Sequence, residues 1–202
     1  VEEIFLPHMK YAVPVYYLIS SAEASYNLTG FNGIRMGYEK GVIPELDELI
    51  ESVGMHNLGA AVKKRILLGN IALYNENYEI YYLKALKVRT LIKKDFDQVF
   101  ENYDIILSPT NPDTAFRFGE MTDNTVKTYE YDVFTVPVNL AALPALTIPC
   151  GFDTKGLPIG LQLIGKQFGE GTLFQAAYTF EQNTDYHLKS PILESSINVF
   201  TD

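Results

Sequence analysis

The segment from Tyr131 to Lys166 constrains this chain most. It runs through Tyr-Asp-Val-Phe-Thr and Val-Asn-Leu-Ala-Ala-Leu-Pro, then an apolar stretch to Cys150-Gly151. A Gly/Pro/Asp turn follows, then Gly160-Leu161-Gln162-Leu163-Ile164-Gly165. Short apolar runs bounded by turn residues read as strands. The segment therefore predicts a helix carrying Asp132, leading into two short strands joined by a turn. Asp132 sits among apolar and aromatic residues, where an ionised acid without a partner is costly. It is expected either at the surface or beside a cation, and the cationic partner is the favoured reading.

The rest of the chain interleaves helices with short strands. Val1 to Pro7 alternates acidic and apolar residues and stops at a proline, which reads as a strand. A helix is predicted from about Val13 to Asn27, and the glycine-rich stretch Thr29 to Gly41 reads as a loop. Pro44 to Val53 reads as a short helix, with Leu46, Leu49, Ile50 and Val53 on one face, early acids and Gly54 at its stop. A further helix is predicted from about Gly59 to Leu73. The longest runs from about Tyr78 to Phe100, where Val88, Ile92, Phe96 and Val99 follow helical spacing and Lys84, Lys87, Arg89, Lys93 and Lys94 decorate the surface. Asp104 to Ser108 reads as a buried strand ending at Pro109, and Asn111 to Thr125 as a polar loop. Strands are expected near Ala145–Cys150 and Ile159–Ile164, with a helix near Gly171–Asn183. The tail beyond Pro191 reads as loosely held. This interleaving implies an α/β layered fold, with residues 1–202 as a single domain.

Composition excludes several function classes. The chain has 202 residues, 47% of them apolar, enough for a sizeable core. No apolar run is long enough to span a bilayer. Val1 to Lys10 carries two acids and no apolar core, so it does not read as a signal peptide. One cysteine excludes an internal disulfide and a cysteine metal cluster, which suits a reducing cytosol. A formal net charge of −9 argues against wrapping nucleic acid, so any RNA handling needs a local patch or another subunit.

Few residues suggest chemistry by spacing alone. His8, His56 and His187 lack metal-ligand spacing and read as loop or surface residues. Cys150 reads as a small packed hydrophobe. Gly30, Gly33 and Gly37 form no phosphate loop, because no GKS or GKT follows. The lysines of the long helix read as a solvated face. Arg65 and Asp132 could hold a free amino acid: an arginine forks onto the α-carboxylate, and an aspartate accepts from the α-ammonium. Spacing alone favours reading them as ordinary helix charges, paired with each other or with neighbours.

The ordered motifs Val-Asn-Leu-Ala-Ala-Leu-Pro, Ile-Pro-Cys-Gly and Gly-Leu-Pro-Ile-Gly-Leu-Gln resemble the amidase signature family. Within it, the motifs are similar to those of the A subunits of the aspartyl/glutamyl-tRNA amidotransferases. Leu6-Pro7-His8, Tyr16-Tyr17, Ala22-Glu23-Ala24-Ser25, Val62-Lys63-Lys64-Arg65-Ile66, Tyr81-Tyr82, Lys87-Val88-Arg89-Thr90 and Ser108-Pro109-Thr110 extend the resemblance from Leu6 to about Phe180. The resemblance implies the C-terminal portion of the family fold, a mixed β-sheet layered with α-helices.

What the resemblance implies for function is specific. Arg65 matches the arginine that holds the substrate α-carboxylate, Asp132 the acid that holds the α-amino group, and Tyr16 a residue lining the glutamine pocket. The family uses a serine nucleophile, a second serine and a lysine base, and the nucleophile lies in a glycine- and serine-rich segment of the family's first half that has no match here. Ser20-Ser21 and Ser195-Ser196 lack the neighbouring glycines that open a nucleophile to substrate and read as structural. No catalytic residue is therefore assigned, and this chain alone is expected to be inactive. The complete subunit would hydrolyse glutamine and pass ammonia to a B subunit, which uses ATP and magnesium to amidate glutamyl-tRNA while a C subunit braces the pair. The resemblance implies no cofactor in this chain and a cytoplasmic location. Two other readings stay open: part of a stand-alone amidase acting on simple amides, and a non-catalytic ligand-binding or assembly module.

The chain departs from the family pattern in places. Gly30 and Asn32 stand where Arg and Asp are common, Lys64 where a first arginine is common, and Ala142 where glycine is common. The segment Met55 to Ala61 also differs. The added methyl of Ala142 is expected to tighten packing near the pocket.

Overall fold

The computed structural model describes residues 1–28, 58–120 and 130–191. The predicted 29–41 loop, the Pro44–Val53 helix, His56, the departures at Gly30 and Asn32, residues 121–125 of the predicted polar loop, Ser195-Ser196 and the tail from Ile192 lie outside the described residues. The chain divides into two compact units, one of Val1–Glu101 with Asn139–Ala141 and one of Asn102–Val138 with Ala142–Asp202.

The first unit is helical among the described residues. Helix α1 (Ala12–Leu28) buries Ala12, Val15, Ile19 and Ala22, a stripe at helical spacing. Pro14 falls in its first turn, where a missing N–H breaks no intrahelical bond. Helix α2 (Ala60–Leu73) packs against α1 through its smallest residues, Gly69 and Ala72. A Cβ on Gly69 would collide with the Ser21 carbonyl, so glycine sets how closely the two helices approach.

After α2 a single turn, Asn75–Asn77, leads into a π-helical turn, Tyr78–Leu83, and then helix α3 (Lys84–Val99). The long helix expected from Tyr78 is thus present, but its first turn is wound wider. A wider turn rotates the side chains away from plain helical spacing. On α3, Ala85, Ile92 and Phe96 are buried, and Ile92 and Phe96 are each 1% exposed. Burial of a side chain of this size contributes about 2–3 kcal/mol.

The strand expected over Val1–Pro7 is not formed. Residues 1–6 are irregular, Phe5 is exposed, and a 3-10 turn, Met9–Tyr11, follows. The segment is fixed by polar contacts to α3 instead. The His8 backbone N–H donates to Asp95 Oδ2 at 2.8 Å, and His8 Nδ1 lies 2.9 Å from Asp95 Oδ1.

The second unit holds a three-stranded antiparallel sheet in the order β1-β3-β2. The strands are β1 (Ile105–Pro109), β2 (Ala145–Phe152) and β3 (Pro158–Gly165). Among the described residues the α/β sheet has no parallel pair. Strands β2 and β3 form a hairpin with a register shift between Pro149 and Gly151, beside Cys150. Asp153 organises the tip: its Oδ1 accepts from the Lys155 and Leu157 N–H groups, and its Oδ2 accepts from the Thr114 hydroxyl at 2.8 Å. Gly156 takes φ +81°, a left-handed conformation that disfavours side chains.

Two further helices are described: α4 (Val136–Ala141), which precedes β2 and whose residues Asn139–Ala141 count with the first unit, and α5 (Glu170–Gln182), which follows β3 in the second. Helix α5 covers one sheet face, with Leu173 and Ala177 against Ile148 and Leu163. Gly165 lies under Leu173, where a Cβ would meet the Leu173 Cγ at 3.0 Å. A 3-10 turn, Tyr186–Leu188, places the Tyr186 ring against Phe152 and Phe180.

Candidate functional site

Helix α4 begins after Asp132 rather than containing it. Asp132 is half-buried in the preceding turn, where its carbonyl accepts from the N–H groups of Thr135 at 3.2 Å and Val136 at 3.0 Å. Pro137 explains the helix start, because the first turn needs no intrahelical N–H partner there. The backbone beneath the carboxylate is thus tied into the helix entry.

One further contact fixes this turn. Gln162 lies in the middle of β3 and is only 4% exposed. Its Nε2 donates to the Phe134 carbonyl at 3.1 Å and to Ser108 Oγ at 2.9 Å. A buried amide costs free energy unless its groups are bonded, and here the bonds run to the turn that follows Asp132. In the sequence Gln162 stands out only as part of a motif. A polar residue interrupting an apolar central strand is the signal that could have singled it out.

The other two predicted binding residues belong to the first unit. Tyr16 is half-buried on α1, with its ring edge-on to Tyr17 at 5.3 Å between centroids. Arg65 is exposed on α2, one turn before Gly69. Exposure leaves its guanidinium able to meet an anion.

Other polar groups of the first unit are structural or line a cavity. Arg89, counted with the basic face, is not merely solvated: its Nε donates to the Leu140 carbonyl at 2.9 Å, a favourable place for a cation at a helix C-terminus. Lys93 pairs with Asp97 one turn along α3. A cavity of about 360 Å³ is lined by Ala22, Glu23, Tyr26, Asn27, Leu73, Tyr78 and Tyr82. Burial, together with the nearby Glu23 carboxylate and Tyr78, raises the Tyr82 pKa above its ordinary value, while Arg89 opposes the rise. Tyr82 therefore stays protonated and can donate a hydrogen bond at neutral pH.

The adjacent serines Ser20 and Ser21 lie inside α1. Their hydroxyls are buried, with no hydrogen-bond partner among the described residues. Neither can reach a substrate as a nucleophile. Among the described residues no group of three or more His, Cys, Asp or Glu side chains could hold a metal ion, and no helix is long and apolar enough to cross a membrane.

Ala142 corrects an expectation. It is exposed and adds no packing; instead it follows α4 with φ 56°. The Leu143 N–H reaches back to the Val138 carbonyl at 3.2 Å, the bond of a left-handed helix cap. The methyl acts through backbone strain, because glycine adopts this conformation freely.

Comparison with known proteins agrees with these motifs. The chain is 50% identical over 192 residues to the A subunit of the glutamyl-tRNA(Gln) amidotransferase of Halalkalibacterium halodurans, covering 95% of this chain and 39% of that protein. It is 52% identical to the protein of the same name from Bacillus pumilus over the same shares. The chain thus spans about two fifths of the length of the curated relatives it matches. Among solved structures, the A subunit of the glutamyl-tRNA(Gln) amidotransferase of Thermotoga maritima superposes with a TM-score of 0.64 at 37% identity, covering 91% of this chain and 34% of that one. A 6-aminohexanoate cyclic dimer hydrolase superposes at 0.68 with 16% identity over 95% of this chain and 39% of its own, a likeness of fold alone. The profile of the family described as Amidase matches residues 1–174, and with the helices, hairpin and motifs described above this chain belongs to the amidase family.

Proposed function

We propose that this chain is part of the A subunit of a tRNA-dependent amidotransferase and supplies the glutamine-positioning side of its glutaminase site. The observation that carries this reading is the identity of about half over 95% of the chain to proteins of that name. In this reading Arg65 takes the α-carboxylate of glutamine through its planar fork, Asp132 accepts from the α-ammonium, and Tyr16 lines the pocket. The longer protein supplies a serine nucleophile, which attacks the side-chain amide, forms an acyl-enzyme and expels ammonia; water then releases glutamate. This chain alone is inactive. The ammonia is used on a B subunit that holds ATP and magnesium, a C subunit braces the assembly, and tRNA meets the complex rather than this chain. The complex is cytoplasmic.

The positioning groups contribute by orientation and charge-assisted hydrogen bonding, each worth about 1.5–3 kcal/mol. Arg65→Ala and Asp132→Ala in the complete subunit should each raise the KM for glutamine roughly ten- to hundred-fold. Steady-state glutaminase assays read this directly, and unchanged kinetics in both variants would refute the assignment.

A further inference from the structure

We infer that Gln162 is a positioning residue for the Asp132 carboxylate, acting through the backbone of the turn that carries it. The inference rests on the reading of Asp132 as the acceptor of the glutamine α-ammonium group. Three observations within the second unit carry it.

The first is the anchor. Strand β3 is paired on both sides, with Gln162 opposite Ser108 on β1 and Thr147 on β2. A side chain rooted there is held more rigidly than one on an edge strand or loop.

The second is the reach. The Gln162 amide nitrogen donates to the carbonyl of Phe134, two residues past Asp132. The Asp132 carbonyl is itself tied to the Thr135 and Val136 N–H groups. With both carbonyls held, the backbone from Asp132 to Thr135 cannot swing without breaking a bond to the sheet or to the entry of α4.

The third is the choice of residue. The neighbouring positions Leu161, Leu163 and Ile164 are apolar, so burial in this strand does not by itself call for a polar side chain at 162. The buried amide provides what packing does not, a directional bond onto the turn. Misplacing a substrate-binding group by about 1 Å can cost up to about 100-fold in rate, so a bond that fixes this backbone belongs to the site even though it never touches substrate.

The test is glutaminase kinetics of the complete subunit with its partners, with thermal unfolding recorded for each variant. Gln162→Met keeps length and burial but removes the donor. It should raise the KM for glutamine about five-fold with kcat nearly unchanged, and should add nothing further in an Asp132→Ala background. Ser108→Ala, which leaves the bond to Phe134 in place, should leave KM unchanged. If Gln162→Met does not fold, Gln162→Glu replaces it: the Ser108 hydroxyl can still donate to the new carboxylate, but the Phe134 carbonyl then faces an acceptor, and KM should rise again. A folded Gln162 variant with unchanged KM, or an equal rise in the Asp132→Ala background, overturns the inference. If Asp132→Ala itself leaves KM unchanged, it is the reading of Asp132 that fails.

Discussion

Replacing Gly69 by alanine tests the closest helix contact in the first unit. A Cβ built on Gly69 collides with the Ser21 carbonyl oxygen and lies 2.6 Å from the Ser21 carbonyl carbon and 2.7 Å from Ser25 Oγ. The serine hydroxyl can turn away, but the Ser21 carbonyl belongs to helix backbone and cannot. Restoring ordinary contact of 3.4 Å from the carbonyl carbon alone takes about 0.8 Å, and the nearer carbonyl oxygen requires more, so α1 and α2 must move apart by at least that much. That shift loosens Ala22 and Ala72, each 1% exposed. Overpacking of this kind costs about 1–3 kcal/mol, and alanine returns up to about 1 kcal/mol through its better helix propensity. The expected net loss is about 1–2 kcal/mol, read as a lower urea midpoint for the helical signal in far-ultraviolet circular dichroism. Gly171→Ala on α5 is the control, because nothing lies within 4 Å of its Cβ. It should be neutral or slightly stabilising. A Gly69→Ala protein as stable as the parent would refute the claim that glycine sets this helix spacing.

Two further perturbations test other parts of the structure. Ala142→Gly removes a side chain from a left-handed position (φ 56°) and should stabilise the α4 cap by about 0.5–1 kcal/mol, seen as a higher unfolding temperature; no change would count against strain at this residue. At the hairpin tip, the Leu157 N–H, then the Thr114 hydroxyl and the Lys155 N–H, hold the Asp153 carboxyl below its ordinary range, against a smaller opposing desolvation. Its folded pKa is thus below its unfolded value of about 4, so its stabilisation is complete above that value and fades as pH falls through the depressed folded value. Amide exchange at Lys155 and Leu157 should accordingly rise in acid, and an NMR titration placing the Asp153 midpoint at or above the ordinary value would contradict this.

Much of the local structure is legible in the sequence. The sequence reading places α1 within a residue at each end, Val13–Asn27 expected against Ala12–Leu28 found, and places α2 and α5 as closely. Apolar runs bounded by Gly, Pro and Asp locate all three strands of the described sheet. Motifs over most of the chain point to the family without any coordinates. Where local pattern misleads, a distant partner or a backbone detail is responsible. Val1–Pro7 alternates like a strand, yet its position is set by His8 bonding Asp95, 87 residues away. The wide turn at Tyr78–Leu83 leaves no mark in hydrophobic spacing.

Apart from the irregular start of the chain and the place where α4 begins, the sequence by itself therefore determined most of the helices and strands among the described residues, the family and the chemical types on offer at Arg65, Asp132 and Tyr16. These depend on neighbours within a few residues, where periodicity, turn residues and helix termini act. Only the tertiary structure decided the strand order β1-β3-β2, the left-handed backbone at Ala142, the close approach of α1 and α2 at Gly69, and the bond from Gln162 to the Asp132 turn. Each joins residues remote in sequence or fixes a dihedral angle that several residue types tolerate, so it follows from packing and hydrogen-bond satisfaction in the folded chain rather than from any local pattern.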